Sequence, residues 1–186
     1  MSRFEIADTP LGGLKVVHRQ ILADARGSFS RLFCSDELKE AGFDVAIAQI
    51  NRTLTARRGT VRGLHFQYPP HAEIKMVSCL RGEVFDVAVD LRSGSPTFLR
   101  WYGQVLTGEN LASLVIPRGF AHGFQTLTED CELLYLHTCA YSAAAEGAVN
   151  ARDPSVAIDW PLTIAALSER DQSHPYLDKE FSGIRP

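Results

Sequence analysis

The segment EVFDVAVDLR, residues 83–92, is a short run of β-branched and aromatic residues interrupted by carboxylates. Turn signals bound it on both sides, with Arg81-Gly82 before it and Ser93-Gly94-Ser95-Pro96 after it. Four further segments of the same kind are FDVAIAQIN (43–51), FLRWYGQVL (98–106), ASLVIP (112–117) and CELLYLHTC (131–139). Many short strands separated by turn residues are typical of a β-sandwich or a small barrel. These segments predict an all-β fold.

Two short helices are predicted around the strands. Ser35 is the expected N-cap of the first helix, acidic residues follow in its first turn, and Gly42 is its expected end. The second helix is expected to begin at Ser168 in the segment LSERDQ. Since the sequence has no repeat and no low-complexity linker, it indicates one domain over residues 1–186. The predicted architecture is a jelly-roll barrel with a few short peripheral helices.

Composition narrows the classes of function. The 186 residues are 45% hydrophobic, enough for a sizeable core, and the net charge of −3 offers no basic surface for nucleic acid. No apolar run approaches the roughly 18 residues of a membrane span, and the first ten residues lack a signal-peptide pattern. The four cysteines show no CxxC spacing and are expected to be reduced thiols. A cytoplasmic protein without a nucleic-acid or membrane partner is predicted.

The segment RGLHFQYPPHA, residues 62–72, followed by Lys75, carries the clearest chemical signal. It places His65 and Lys75 ten residues apart on two predicted strands, with two prolines between them. An imidazole can accept a proton near neutral pH, and a lysine ammonium can stabilise the negative charge that results. The pair therefore suggests carbanion or enolate chemistry.

A second block, PRGFAH at residues 117–122, is close to the P-x-G-x-x-H pattern of the cupins, β-barrels that often hold a metal. In their first block, metal-binding cupins usually have H-x-H and then a glutamate, whereas this chain has His65, Gln67 and then Glu73. Gln67 is a poor replacement for a histidine ligand. We expect a cupin barrel that performs acid–base chemistry without a metal or cofactor. A metal site of His65, Glu73 and His122 is the alternative.

With these blocks in place, the chain resembles the dTDP-4-dehydrorhamnose 3,5-epimerase family from about Ile21 to Asp171. The resemblance depends on the shared order and spacing of several motifs. They are DARGSF (24–29), AQIN (48–51), RGLHFQ (62–67), Lys75, GEVFDVAVDLR (82–92), SPTF (95–98), GEN (108–110), IPRGFAHGF (116–124), LLY (133–135) and LSERD (167–171). Any one motif could arise by chance, but the whole series in this order is a strong signal.

The resemblance implies a metal-independent isomerase that epimerises carbons 3 and 5 of a nucleotide-linked 4-keto-6-deoxyhexose in a dTDP-rhamnose-type pathway. Both carbons flank the C4 ketone, so one carbonyl acidifies both protons. His65 matches the family's general base, and Asp171 matches the carboxylate paired with it. Tyr135 matches the acid that protonates the opposite face. Lys75 matches the cation beside the C4 oxygen, where the enolate charge develops.

The family also implies a binding shell around this catalytic set. Arg62 and His122 match residues near pyrophosphate or sugar oxygens, and Tyr141 matches an aromatic ring that stacks on the nucleotide base. The other matched substrate contacts are Gln49, Asn51, Glu146 and Arg170. Arg26 matches an arginine lent to the neighbouring subunit's site. A homodimer with site residues shared across its subunits is therefore expected.

Three departures from the family pattern leave the nucleotide carrier open. Arg31 stands where a glutamate is usual, Ala140 replaces the first ring of a tyrosine pair, and the loop between Asn51 and Arg62 is one residue longer. The sequence also leaves open whether one or both carbons are epimerised, because C3 and C5 chemistry would use the same base and ketone. A metal-dependent cupin enzyme and a non-catalytic sugar-binding cupin are the alternatives from other classes.

Several histidines lie outside the matched set. A lone histidine is more often structural than catalytic, so His18, His137 and His174 are expected at the surface or in packing. His71 is expected to be a loop residue.

Overall fold

The computed structural model describes residues 2–186, which form thirteen β-strands and two short helices. The strands are β1 Phe4–Asp8, β2 Lys15–Arg19, β3 Ile21–Asp24, β4 Gly27–Ser30, β5 Gln49–Thr55, β6 Val61–Gln67, β7 Lys75–Arg81, β8 Glu83–Asp90, β9 Trp101–Thr107, β10 Ala112–Ile116, β11 Phe120–Thr126, β12 Cys131–His137 and β13 Glu146–Ala148. The helices are a 3₁₀ helix, Glu37–Ala41, and α1, Glu169–Ser173.

Two antiparallel sheets form the barrel. The first has six strands in the order β1-β2-β10-β7-β12-β5, and the second has five in the order β13-β6-β11-β8-β9. Strands β3 and β4 pair only with each other, as a separate hairpin. The many crossovers between strands distant in sequence are those of a jelly roll. The predicted all-β, cupin-type jelly roll with short peripheral helices is confirmed.

The core lies between the sheets, because the inner strands present apolar side chains to each other. Val77 and Leu114 of the first sheet pack in one cluster with Val84 and Phe124 of the second, and all four are buried. Full burial of each such side chain contributes about 1.5–3 kcal/mol. Tyr135 belongs to the same cluster. One side of the core therefore ends at a residue of the predicted site.

The four cysteines carry free thiols, as expected. Cys79 and Cys131 are buried in the core between the sheets. Burial raises the pKa of the Cys79 thiol to about 12, so this group stays protonated at neutral pH. Both residues act as small apolar side chains of the core.

The 3₁₀ helix differs from the prediction at its start. Its N-cap is Asp36, with no side-chain cap hydrogen bond, so the prediction of Ser35 as N-cap is wrong. Gly42 ends the helix as predicted, with a left-handed φ of 82° that favours glycine. The predicted strand over 43–51 is also too long, since β5 begins only at Gln49. Its apolar residues Phe43 and Ile47 pack in a cluster with the helix instead of pairing in a sheet.

Helix α1 begins where the sequence predicts. Ser168 is its N-cap, and the Ser168 hydroxyl accepts a hydrogen bond from the backbone N–H of Asp171 at 3.0 Å. This cap fixes the turn that carries the buried Asp171 side chain towards β6. Within residues 2–186, no helix combines the length and the apolar character that crossing a membrane requires.

Candidate active site

A cleft of about 600 Å³ opens at one side of the core, and both sheets line it. Eleven residues predicted from the sequence lie along its walls. They are His65, Lys75, Tyr135, Asp171, Gln49, Asn51, Arg62, His122, Tyr141, Glu146 and Arg170. Strands of both sheets, the segment between β12 and β13, and helix α1 supply them, so the fold gathers residues that are up to 122 positions apart. The volume is typical of a site for a small molecule.

His65 and Asp171 form a hydrogen-bonded pair across this cleft wall. His65 Nε2 lies 2.8 Å from Asp171 Oδ1; the His65 side chain is 36% exposed, whereas that of Asp171 is 6% exposed. Burial acts to raise the pKa of Asp171, but hydrogen bonds from His65, the Gly63 N–H and Ser168 outweigh it and lower the pKa. The carboxylate is therefore ionised and can stabilise an imidazolium at His65.

Gly63 allows this pair to form, because its backbone runs against strand β11. A Cβ at Gly63 would lie 2.6 Å from the Gly123 Cα and 2.7 Å from the His122 carbonyl oxygen. Its φ of +121° is also outside the range that other residues favour. Only glycine fits here, two residues before His65.

Tyr135 lies on β12 on the opposite sheet. It is buried, and burial raises the pKa of its phenol well above the ordinary value, so the hydroxyl carries its proton at neutral pH. Its oxygen is 3.4 Å from Thr53 Oγ1 on the neighbouring strand β5. The group is suited to donate a proton or a hydrogen bond into the cleft.

A second imidazole–carboxylate pair lies deeper in the cleft. His122 Nε2 on β11 is 2.8 Å from Asp86 Oδ1 on β8, and their side chains are 7% and 0% exposed. The other oxygen, Asp86 Oδ2, is buried and has no hydrogen-bond partner among residues 2–186. His122 is thereby held in a fixed orientation beside Tyr135, with the ring centroids 6.1 Å apart.

Lys75 is buried in the cleft wall and is paired with Glu73, whose Oε1 lies 3.1 Å from Lys75 Nζ. The other oxygen of Glu73 is 2.7 Å from His137 Nδ1. Burial acts to raise the pKa of Glu73, but the His137 hydrogen bond and the Lys75 charge outweigh it and lower the pKa. A charged group therefore balances the lysine inside the protein.

His137 and Glu73 line the cleft, although the sequence analysis placed neither in the catalytic or substrate-binding set. His137, expected at the surface or in packing, is largely buried and is bonded to Glu73. A signal was present in the sequence. His137 lies two residues after Tyr135 on β12, and in a strand residues two apart share a face.

The mouth of the cleft is formed by a polar cluster around an exposed aromatic ring. Tyr141 is 57% exposed, and its hydroxyl donates to Glu146 Oε2 at 2.8 Å. Glu146 also forms an ion pair with Arg170. These contacts hold the face of the Tyr141 ring in a defined position at the entrance.

Arg26 lies apart from the cleft of its own chain. It is in the turn of the β3–β4 hairpin, its side chain is 90% exposed, and it forms an ion pair with Asp24 at 2.6 Å. Arg31, one of the departures from the family pattern, forms an ion pair with Glu37 of the 3₁₀ helix. Neither arginine contributes to the walls described above.

The alternative metal site of His65, Glu73 and His122 is not formed. Glu73 is bonded to Lys75 and His137, and His122 is bonded to Asp86. Among the histidine, cysteine and acidic side chains of residues 2–186, three come together with their ligand atoms within 4.8 Å of one another, and these are His65, Asp171 and His174.

His174 is the third member of this group. It is expected from the sequence at the surface or in packing, and its ring packs edge-on against that of His65, with the centroids 6.3 Å apart. Gln67, the residue at the usual histidine position, accepts from the Ser142 N–H and donates to the His71 carbonyl. Its polar atoms are thus used in holding loops together.

The cleft of this cupin-type jelly roll thus contains paired imidazole and carboxylate groups of the kind that can transfer protons. A comparison with protein families gives the particular family. The profile described as dTDP-4-dehydrorhamnose 3,5-epimerase matches residues 8–179, and the chain belongs to this family of isomerases.

Individual relatives agree with this assignment. A dTDP-4-dehydrorhamnose 3,5-epimerase of Sinorhizobium fredii is 45% identical over 165 residues, covering 88% of this chain and 85% of the relative. A Legionella pneumophila 3,5-epimerase solved with dTDP-4-keto-L-rhamnose is 38% identical with a TM-score of 0.90, covering 98% and 99% of the two chains. A 3'-monoepimerase of Streptomyces bikiniensis solved with dTDP-quinovose is 35% identical with a TM-score of 0.84, covering 90% and 85%.

Proposed function

We propose that the protein is a cytoplasmic epimerase that inverts C3 and C5 of a dTDP-linked 4-keto-6-deoxyhexose through an enolate. The observation that carries this proposal is the convergence of His65, Tyr135 and Lys75 on one cleft. The first is an exposed imidazole paired with a carboxylate, the second a buried phenol, and the third a buried ammonium. These are the groups that proton abstraction beside a ketone requires.

His65 removes the proton from C5 and later from C3, and the electron pair moves to the C4 oxygen as an enolate. The Lys75 ammonium stabilises that oxygen, and Asp171 stabilises the imidazolium. Tyr135 then donates its proton to the opposite face of the carbon. After each inversion His65 holds one extra proton and Tyr135 lacks one, and exchange with solvent restores both. Each positioned group contributes about 10²–10⁴-fold to the rate.

Substrate binding is assigned to the residues around this centre. Arg62 offers hydrogen-bond donors to pyrophosphate and sugar oxygens. His122, whose Nε2 faces Asp86, offers Nδ1 to a sugar hydroxyl. The exposed Tyr141 ring at the mouth is available for a nucleotide base. The remaining polar contacts are Gln49, Asn51, Glu146 and Arg170.

The protein is proposed to act as a homodimer with shared sites. Strand β5 is an edge of the six-stranded sheet, and it exposes Ile50 and Leu54. The isolated β3–β4 hairpin exposes Phe29, which is 60% accessible, and carries Arg26 at its turn. An exposed apolar edge strand is a surface that a second chain can cover. Pairing there would put the partner's Arg26 within reach of this cleft.

The decisive experiment is proton NMR of dTDP-4-keto-6-deoxyglucose incubated with the enzyme in D₂O. Loss of both the C3 and C5 signals, with a rhamnose-type product after reduction, is the expected result. No exchange would direct the search to other nucleotide carriers, as the departures at Arg31 and Ala140 allow. Binding of the ketosugar without exchange on any carrier would support a sugar-binding cupin and reject the epimerase.

A mono-epimerase is the second candidate. It is supported by the similarity to the Streptomyces bikiniensis 3'-monoepimerase, which has the same fold at 35% identity. The base and the ketone would be unchanged, and only the ring orientation in the cleft would differ. In the same NMR experiment, loss of one signal with retention of the other would select this candidate.

A further inference from the structure

The Lys75 ammonium is held by a carboxylate that also holds an imidazole. Glu73 uses Oε1 for Lys75, at 3.1 Å, and Oε2 for His137 Nδ1, at 2.7 Å. Lys75 and His137 are partners in the register between β7 and β12, which fixes their spacing through the sheet. Their side chains are 9% and 14% exposed, so neither is free to rotate into solvent.

From His137 the hydrogen bonds continue outward to the mouth of the cleft. His137 Nε2 is 3.4 Å from Asn51 Nδ2, and Asn51 Oδ1 accepts from Gln49 Nε2 at 3.1 Å. Gln49 Oε1 in turn accepts from the backbone N–H of Tyr141 at 3.0 Å. An unbroken series of contacts therefore joins the Tyr141 backbone to the Lys75 ammonium.

The Tyr141 backbone N–H, at the outer end of this series, determines which group donates and which accepts in each of the next hydrogen bonds. A backbone N–H can only donate, so the Gln49 oxygen faces Tyr141 and its NH₂ group faces Asn51. The Asn51 NH₂ group then donates to His137 Nε2, which must be an acceptor. His137 Nδ1 then carries the proton that is donated to Glu73.

We propose that Glu73 and His137 are positioning residues, which hold the Lys75 ammonium at the C4 oxygen of the substrate and connect it to the nucleotide end of the site. The inference rests on the proposed function, since it concerns the cation that stabilises the enolate. A base stacked on Tyr141 and a sugar held by Gln49 and Asn51 would keep the series intact. The ammonium is then fixed while the substrate is bound, which favours the enolate.

The charges around Lys75 give this proposal a measurable consequence, the pH profile of kcat, which a purely structural role of Glu73 would not change. Around Lys75, the neighbouring strand β10 contributes the apolar Ile116, and β12 contributes Tyr135 and His137. Across the cleft lie the His65–Asp171 and His122–Asp86 pairs. Glu73 is the anion in contact with the ammonium. Removal of its charge leaves a buried cation without a counter-ion, and such a cation releases its proton at lower pH.

The first test is the pH profile of kcat in Glu73→Gln. We expect kcat to fall about 10- to 100-fold, as for a misplaced catalytic group, with a smaller change in KM. The alkaline limb of the kcat profile should move to lower pH. His137→Gln should lower kcat while leaving the alkaline limb where it is in the wild type, because the Glu73 charge remains. An alkaline limb that stays unchanged in Glu73→Gln would overturn the proposal.

A matched pair at His137 tests the donor itself. The amide nitrogen of Asn is bonded to Cγ, as His Nδ1 is, so His137→Asn can still donate to Glu73. The amide nitrogen of Gln is one bond further out, so His137→Gln cannot occupy the same position. We expect His137→Asn to retain more kcat than His137→Gln; equal losses would overturn the role of the Nδ1 donor.

Two controls separate this inference from other failures. His18→Asn, on β2 away from the cleft, should match the wild type in kcat, and thermal unfolding should show that every variant is folded. This His137 comparison also decides the question if Glu73→Gln does not fold. If the wild type exchanges the protons at the sugar carbons and the Glu73 and His137 variants have the kcat and pH profile of the wild type, only the inference is rejected. Absence of exchange in the wild type rejects the proposed function and the inference with it.

Discussion

Three imidazole–carboxylate pairs lie at the cleft, and two of them, those of His65 and His122, differ in what the imidazole can reach. The His65 side chain is 36% exposed and faces the open volume, whereas that of His122 is 7% exposed. A base must reach a carbon of the bound substrate, so the exposed ring is the better candidate. The buried ring has its Nε2–H directed to Asp86, which leaves Nδ1 as an acceptor for a substrate hydroxyl when the ring is neutral.

The residue-scale prediction for the base concerns His65→Ala. We expect the rates of turnover and of solvent proton exchange to fall together by about 10²–10⁴-fold, because both require the same proton abstraction. The measurement is the NMR exchange assay in D₂O. Exchange that survives in this variant at the wild-type rate would reject His65 as the base.

The prediction for the acid separates two steps of the reaction. Tyr135→Phe keeps the ring in the core but removes the buried hydroxyl, whose pKa is raised by burial and which therefore holds its proton. We expect exchange by His65 to continue while inversion at one or both carbons is lost. Product stereochemistry after reduction measures this. Fully inverted product at an undiminished rate would contradict the role.

At the scale of elements, the turn between β8 and β9 shows how a strand end is held. Asp90 accepts two hydrogen bonds from the Arg92 guanidinium at 2.8 Å and one each from the Ser95 and Thr97 hydroxyls at 2.6 Å. Burial acts to raise the pKa of Asp90, but these hydrogen bonds outweigh it and lower the pKa from 3.8 to about 2. The turn is therefore stabilised by an ionised carboxylate.

The ionised Asp90 carboxylate predicts that Asp90→Asn lowers the free energy of unfolding by an amount that depends on pH. Because the folded-state pKa is depressed, the stabilisation is complete above the ordinary value of 3.8 and is lost as the pH falls towards about 2. We expect the variant to lose about 1–3 kcal/mol of unfolding free energy at pH 7 and less near pH 2. Urea unfolding at both pH values measures it, with exposed Asp44→Asn as control. An equal difference at both pH values would contradict the mechanism.

Elements also show where prediction from one sequence ends. Ser168 and Gly42 act through neighbours a few residues away, so their caps could be predicted. The pairing of His137 with Glu73 spans 64 positions and depends on the register between β7 and β12, which local pattern does not contain. The same limit explains the strand predicted over 43–51, whose apolar residues pack against a helix.

For the whole molecule, the predicted barrel is confirmed, and eleven of the twelve residues predicted for the site line one cleft. Their common placement was predictable because a family likeness carries long-range placement with it, and their roles stay predictions. The twelfth, Arg26, lies on the exposed hairpin. A single chain does not bring it to the cleft. Its predicted role depends on the second subunit.

A mixing experiment tests this role. Arg26→Ala should raise KM, and His65→Ala should be inactive, but a mixed dimer of the two has one complete site. If the subunits assort at random in a two-fold dimer, the mixture should recover up to about a quarter of wild-type activity. Activity at subsaturating substrate after unfolding and refolding of the mixture measures it. No recovery above the separate variants would place Arg26 outside the partner's site.

The hydrogen bond between His65 and Asp171 joins residues 106 positions apart. During synthesis on the ribosome, β6 and its histidine leave the exit tunnel long before the last helix is translated. Strand β13 completes the two large sheets at Ala148, more than twenty residues before the carboxylate appears. A nascent chain can thus pair the strands of both sheets while His65 still lacks its carboxylate, and the His65–Asp171 pair is among the last parts of the site to be completed.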